Sequence, residues 1–138
     1  MKQDKRFLKD IEASKVLNVT QYHGWALSDE STVIVSGTSI ITDRLANTFN
    51  CTDVRISLTT ADNTGLTSVN VKKNGSSIFD TIVSIDANEK TSTTATTPFQ
   101  FTGASSSITF NDDDEISFDI TTNGVTATGL KIRLIGTK

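Results

Sequence analysis

The residues best suited to chemistry lie in two short segments far apart in the chain. Residues 111–115 read Asn-Asp-Asp-Asp-Glu, and such carboxylates supply the oxygen ligands that Ca²⁺ prefers. The only histidine, His23, stands between Tyr22 and Gly24, with Trp25 next. Because flat aromatic rings pack on the apolar faces of sugars, Tyr22 and Trp25 form a candidate platform for a saccharide.

Each segment also has a simpler structural interpretation, which the sequence favours. The acidic run lacks EF-hand spacing, and consecutive acids in a turn between strands are usually solvated because alternate side chains point apart. Aromatic residues beside a glycine more often pack a terminal strand onto the core or onto a neighbouring subunit. We therefore expect no cofactor and no bound metal, and we expect Tyr22 and Trp25 to contribute to an interface.

Catalysis finds little support in the residue pattern. A serine or cysteine nucleophile needs a base positioned beside it, and nothing in the sequence connects His23 with Cys51 or with any serine. Acidic residues that might form a glycosidase pair are present, but their separation in space is not set by the sequence. The sequence thus predicts a protein that is not an enzyme, with an inert Cys51.

Composition predicts an all-β protein. A chain of 138 residues fits one domain with its own core, and 23 threonines and 15 serines favour strands and polar turns over helices. A single cysteine cannot form an intramolecular disulfide, which indicates a reducing compartment. No apolar run approaches the roughly 18–20 residues of a membrane span, and the residues after Met1 lack the apolar stretch of a signal peptide. We expect no membrane association.

The clearest strands lie near the end of the sequence. Residues 116–120 and 130–134 alternate apolar and polar side chains, as half-buried strands do. Asn123-Gly124 lies between them and suits the positive φ angles of a tight reversal. The sequence therefore predicts that the two strands pair as a hairpin, with Asp119 on the same outer face as Lys131 and Arg133.

Further strands fill most of the remaining chain. Residues 54–58 and 69–72 alternate, and Asn74-Gly75 predicts a second hairpin that leads into residues 78–85. The β-branched runs 16–20 and 32–36 suggest one or two edge strands ahead of the main domain. About eight to ten short strands with frequent turns and no crossover helix predict a jelly-roll-like antiparallel β-sandwich.

The amino end has a character of its own. Residues 1–15 hold five basic and three acidic residues, whereas residues 16–138 hold eight basic and 13 acidic residues. Apolar residues within this end would form one stripe of a short helix, too small to be stable in water without a partner surface. We predict an extended or short-helical docking arm with entry strands over residues 1–35, and a sandwich domain over residues 36–138. The predicted docking residues are Lys2, Lys5, Arg6, Phe7, Leu8, Lys9, Ile11, Tyr22 and Trp25.

Residues 54–138 resemble a jelly-roll module found in structural proteins of tailed bacteriophages. The resemblance rests on the order of four segments: Val71-Lys72-Lys73-Asn74-Gly75-Ser76-Ser77-Ile78-Phe79, Ser84-Ile85-Asp86-Ala87-Asn88-Glu89-Lys90-Thr91-Ser92, Asp113-Asp114-Glu115-Ile116-Ser117-Phe118-Asp119-Ile120 and Ala127-Thr128-Gly129-Leu130-Lys131-Ile132-Arg133-Leu134-Ile135-Gly136. It implies a virion protein that decorates capsids or forms fibres and knobs, commonly as a trimer and without catalysis.

Two functions follow as expectations. The leading one is a capsid decoration protein of the virion, assembled in the host cytoplasm as a homotrimer and held on the major capsid protein or another virion protein by its arm. The alternative is a tail fibre or knob protein that binds a host-surface glycan through polar loops such as 91–97 and 103–107. A carbohydrate-binding module or adhesin unrelated to phage is less favoured because no export signal is present. Nucleic-acid binding is not favoured, because no Arg-rich groove with interleaved aromatic residues follows the arm.

Overall fold

The computed structural model describes residues 19–138, and this part of the chain is built from antiparallel strands. The predicted helical stripe of the arm lies outside the described residues. Only two 3₁₀ turns, Ser92–Thr94 and Thr102–Ala104, interrupt the strands, and no helix within residues 19–138 has the length and apolar character needed to cross a membrane. The strands are β1 (Thr20–Ala26), β2 (Gly37–Arg44), β3 (Phe49–Ser57), β4 (Thr67–Lys73), β5 (Ser76–Ser77), β6 (Phe79–Thr81), β7 (Val83–Ile85), β8 (Gln100–Phe101), β9 (Ile108–Phe110), β10 (Glu115–Thr122) and β11 (Lys131–Thr137).

Two main sheets make up the fold. Sheet I has the strand order β1-β11-β3-β9, and sheet II has the order β2-β10-β4-β5, with β7 also paired to β4. Strands β6 and β8 form a separate small ribbon. The prediction of an all-β protein is confirmed, and its antiparallel sheets are consistent with a β-sandwich.

One apolar cluster joins the sheets. In β11 the side chains of Ile132 and Leu134 are buried while Arg133 is exposed, so the period of two in the sequence gives this strand one inner and one outer face. Phe49 of sheet I and Phe118 of sheet II are fully buried within the same cluster. The shared core fixes which side chains of each sheet point outward.

The hairpin predicted at Asn74-Gly75 is confirmed. Asn74 and Gly75 both have positive φ, 49° and 88°, as a tight two-residue turn requires. The flanking residues pair Lys73 with Ser76 and Lys72 with Ser77, and β7 continues the pairing along β4. This turn therefore sets the register of one edge of sheet II.

The hairpin predicted at Asn123-Gly124 is wrong. Strand β10 pairs with β2 and β4 in sheet II, whereas β11 pairs with β1 and β3 in sheet I. Either arrangement turns the apolar side chains of both strands toward one core, so alternation alone does not distinguish neighbours in a sheet from partners across a sandwich. Asp119 accordingly lies apart from the charges of β11 and pairs with Lys72, with 3.1 Å between Nζ and Oδ1.

Of the predicted run 16–20, residues 16–18 lie outside the described part of the chain. The entry segment forms one edge strand, β1, which does not coincide with either predicted run. It covers residues 20–26, including the segment that the sequence suggested as a separator. The β-branched run 32–36 forms only a single bridge, between Val33 and Thr128. The carboxylate of Asp29 accepts hydrogen bonds from the backbone N–H groups of Ser31 and Thr32, so a turn occupies the start of this run.

Candidate functional site

A groove of about 450 Å³ lies on the outer face of sheet I and is the candidate functional site. Three strands cross beneath it in register. Gly24 of β1, Arg133 of β11 and Arg55 of β3 form one cross-strand row. Ala26, Lys131 and Ser57 form the next row. The groove therefore places three basic side chains among small ones.

Alternation in the sequence produces this face. Because Ile132 and Leu134 point into the core, Lys131 and Arg133 must point outward from the same strand. In β1 the outward positions 24 and 26 hold glycine and alanine, which leave space beside the basic residues. Small residues on the edge strand thus create the concavity, and the charges come from the two strands beside it.

The basic residues of the groove are only partly neutralised. The Nε atom of Arg55 lies 2.9 Å from Oδ2 of Asp53, and Nζ of Lys131 lies 2.6 Å from Oε1 of Glu30. Arg133 makes no ion pair with any of the described residues. It lies directly opposite Arg55, and like charges in such a cross-strand pair are unfavourable. The pair suits an anionic group that accepts hydrogen bonds from both guanidinium groups.

The loop that follows β7 closes one side of the groove. Thr91 forms an isolated bridge with Ser57, and the hydroxyl of Ser92 accepts a hydrogen bond from the backbone N–H of Ile56 at 3.0 Å. These contacts fix Thr91 and Thr93 at the rim, where Thr93 is exposed, Thr91 is half-buried and their hydroxyl groups are hydrogen-bonded to each other at 3.0 Å. A second cavity of about 210 Å³, which also contacts Arg55 and Thr93, extends the concave surface along the same loop.

Gly24 and Gly136 have different local surroundings in the same sheet. A Cβ atom on Gly136 would overlap the backbone carbonyl oxygen of Asn50, next to a β-bulge, so glycine is required there. A Cβ atom on Gly24 would lie 3.5 Å from the carbonyl oxygen of Ile132, an ordinary contact. The glycine at position 24 therefore leaves the groove open, and the sheet itself does not require glycine there.

Tyr22 and Trp25 do not share a face. Tyr22 points outward and is 64% exposed, on the same side of β1 as Gly24. The indole of Trp25 points inward, its ring centroid lies 4.9 Å from that of Phe118, and its Nε1 donates a hydrogen bond to Asp43 at 2.9 Å. The proposed platform of two aromatic rings is not assembled, and the interpretation of Trp25 as a residue packed on the core is confirmed.

His23 and Cys51 lie on two strands of sheet I, and burial shifts the pKa of each. The ring of His23 contacts Phe49 edge-on with 4.6 Å between centroids, and burial lowers its pKa. Burial raises the pKa of the Cys51 thiol to about 12, so the reactive thiolate is scarce at neutral pH. The thiol donates to the backbone carbonyl of Asp53, and His23 Nε2 has no hydrogen-bond partner among the described residues. The two side chains therefore have separate structural roles.

The carboxylates of the acidic run, residues 111–115, contact nearby groups of the protein. Asp114 accepts hydrogen bonds from the Asn74 side chain at 2.9 Å and from the backbone N–H of Asn111 at 2.7 Å, and these bonds lower its pKa. Asp113 and Glu115 each have an oxygen 3.8 Å from the guanidinium group of Arg44. Residues 19–138 contain no group of three or more His, Cys, Asp or Glu side chains placed to hold a metal ion.

Seven predicted docking residues lie outside the described part of the chain: Lys2, Lys5, Arg6, Phe7, Leu8, Lys9 and Ile11. The groove itself was missed by sequence reasoning. Its outward charges could be assigned from alternation, as they were for Lys131 and Arg133. Placing Arg55 opposite Arg133 required the long-range pairing of β3 with β11, which no local signal provides.

Comparison with models of protein families, with curated proteins and with solved structures finds no match to this chain. The resemblance to phage structural proteins therefore stays an expectation drawn from the sequence. Function has to be argued from the sandwich, the groove and the amino-terminal segment.

Proposed function

We propose that this chain is a non-enzymatic structural protein of a tailed-phage virion, with a jelly-roll sandwich that is attached to the capsid by its amino-terminal arm. In this proposal the protein stabilises or decorates the particle by adhesion. Its partner is the major capsid protein or another virion protein, and three copies act together so that several weak contacts reinforce one another.

The strand order is the observation that carries the jelly-roll part of the proposal. Treating β5 and β7 as one interrupted strand, and setting aside the β6-β8 ribbon, leaves eight main strands. Numbered along the chain, they have the orders 1-8-3-6 in sheet I and 2-7-4-5 in sheet II. A chain that alternates between two four-stranded sheets in this way follows the two Greek keys of a jelly roll.

The composition of the amino-terminal segment supports attachment. The core cluster of the described residues runs from Leu27 to Leu134 and joins both sheets. Residues 2–11 combine the apolar side chains of Phe7, Leu8 and Ile11 with four basic ones. Interfaces commonly combine buried apolar anchors with a charged rim. The arm is therefore the best candidate for contact with an acidic shell.

A particle-binding assay tests the attachment directly. Full-length protein would be compared with a variant in which Phe7, Leu8 and Ile11 are replaced by serine and a second in which Lys2, Lys5, Arg6 and Lys9 are replaced by glutamine. We expect the first variant to lose binding to particles that lack this protein. The second variant should bind more weakly, by about tenfold for each 1.4 kcal/mol of binding free energy that the four basic side chains contribute. The loss of affinity should be greatest at low salt.

Immunogold labelling of parent particles supplies the location. Label spread over the head supports decoration, whereas label confined to the tail tip overturns it. Retention of full particle binding by both arm variants would overturn the docking role of the arm. Sedimentation of a monomer at micromolar concentration would overturn the trimer.

The groove on sheet I favours a second candidate function, that of a tail fibre or knob protein that binds a host-surface glycan. Polar loops, the threonines at the rim and a concave face suit a saccharide, as small-ligand sites combine a shaped cavity with a few polar groups. Labelling at the tail tip is the outcome that this function requires.

A further inference from the structure

We propose that the groove on the outer face of sheet I binds a carboxylate-bearing sugar, with Arg55 and Arg133 holding the carboxylate. This inference deepens the glycan-binding alternative and rests on it. It is independent of residues 2–11, which the attachment proposal uses, because the groove is built entirely from residues between 24 and 133. The class of ligand is inferred from the charge of this face, from its shape and from residues in it that weaken a strand or repel each other.

Two arginines form a like-charge pair at the centre of the groove face. Arg55 and Arg133 are directly opposed in the ladder, with Lys131 in the adjacent row. Such like-charge pairs are unfavourable in a sheet unless an anion lies between them. A guanidinium group presents planar donors that match a carboxylate, and two of them discriminate strongly between an acidic ligand and its neutral analogue.

Gly24 also points to a ligand at this face. Glycine inside a strand weakens it, and such a glycine often marks a close approach by a ligand. Position 24 has room for a Cβ atom, so neither backbone conformation nor packing demands glycine there. Two local rules are thus broken in the same cross-strand row, at Gly24 and at Arg133 opposite Arg55. Departures of this kind concentrate at functional sites.

The residues around the charges suit a sugar. Thr91 and Thr93 place hydroxyl groups along one wall, and exposed Tyr22 lies two residues before Gly24 on the same face. Hydroxyl groups suit the hydroxyl groups of a sugar, and the tyrosine ring offers a flat surface for its apolar face. A bare inorganic anion would use the arginines but would not need the length of the groove.

Binding would be measured with purified full-length protein by titration calorimetry against two pairs of probes, sialyllactose with lactose, and trigalacturonic acid with its methyl ester. We expect at least one acidic probe to bind about tenfold or more tightly than its neutral partner, because a hydrogen-bonded charge contributes about 1.5–3 kcal/mol. Raising the salt concentration should weaken that binding.

Three variants assign the binding to the groove. Arg133→Thr should lower the affinity for the acidic probe about tenfold and remove most of the difference from the neutral one. Gly24→Val should block binding by filling the groove while leaving the fold intact. The matched control is Arg44→Thr in sheet II, whose side chain is 58% exposed, close to the 55% of Arg55, and which should bind as the unmodified protein does.

Equal binding of acidic and neutral probes, or no binding of any probe, would overturn the proposal. An equal loss in the Arg44→Thr control would also overturn it. Inorganic sulfate serves as a competitor. Complete displacement of the sugar by an equal concentration of sulfate would mean that the groove recognises charge alone, and this result would overturn the proposal of a sugar site. Groove variants should keep full binding to particles, so failure here is distinguishable from failure of the arm.

Discussion

The outer faces of the two sheets treat their polar residues in opposite ways. On sheet II, Asp119 is 8% exposed, pairs with Lys72 at 3.1 Å and accepts a hydrogen bond from the backbone N–H of Ser39 at 2.7 Å. On sheet I, Arg55 and Arg133 face each other with one adjacent carboxylate, that of Asp53. Asp119 on sheet II is satisfied within the protein, whereas Arg133 on sheet I has no ion pair among the described residues and retains the capacity to bind.

The two sheets therefore differ in whether these polar side chains have partners within the protein. Buried polar groups must be paired because an unpaired one costs free energy, and Asp119 meets that requirement with partners from β2 and β4. The arginines of sheet I are exposed, so water satisfies them when no ligand is present. Three substitutions test the contrast.

The first sharpens the distinction between the two glycines of sheet I. Gly136→Ala should destabilise the protein by about 3 kcal/mol, because its Cβ atom would overlap the backbone of β3. Urea unfolding followed by circular dichroism measures the loss. Gly65→Ala is a matched control, since a Cβ atom there meets nothing within 4 Å. A stability of Gly136→Ala equal to that of the control would contradict the required close approach.

The second substitution breaks the pairing on sheet II. Asp119→Ala should cost about 2 kcal/mol of unfolding free energy, because Lys72 and the N–H of Ser39 lose their shared acceptor. Asp112→Ala, at an exposed position in the acidic turn, should change stability little. Chemical unfolding of both variants in parallel checks the prediction, and equal midpoints would mean that the sheet II contacts contribute nothing beyond those of a surface acid.

The third substitution has the smallest effect and the opposite sign. Gly24→Val should raise the unfolding free energy by about 0.5–1 kcal/mol, because glycine weakens a strand and the site accepts a Cβ atom. Thermal unfolding by calorimetry would show a higher midpoint. A lower midpoint would indicate a structural need for glycine at this position and would remove it as a mark of function.

Local patterns predicted much of the fold and little of the candidate site. The strands at residues 116–120 and 130–134 and the turn at Asn74-Gly75 depend on neighbouring residues, so local patterns predicted them. The half-buried alternation holds for β11 but not for β10, where Ser117 and Asp119 are buried too. Strand partners depend on residues far apart, which is why β10 and β11 were paired wrongly. The same limit hid the groove, whose defining row joins Gly24, Arg133 and Arg55 from three distant segments.

The site residues predicted from sequence illustrate the same physics. Tyr22 and Trp25 were considered together because they are close in the chain, but an odd spacing puts them on opposite faces of a strand. Trp25 then packs on Phe118, and Tyr22 alone stays on the outer side of β1. The docking residues between Lys2 and Ile11 stay a prediction.

The central position of β11 in sheet I has a consequence for biosynthesis. Thr20 of β1 pairs with Thr137, and β3 pairs with the opposite edge of β11, so β1 and β3 have no contact with each other in the ladder. While the ribosome is still translating residues 131–137, the edges of β1 and β3 that later pair with β11 are unpaired. Such long-range pairing slows folding and leaves edges available to other chains. A nascent or truncated chain that lacks β11 would therefore expose one edge of β1 and one edge of β3, and both edges would pair only after translation has passed this strand.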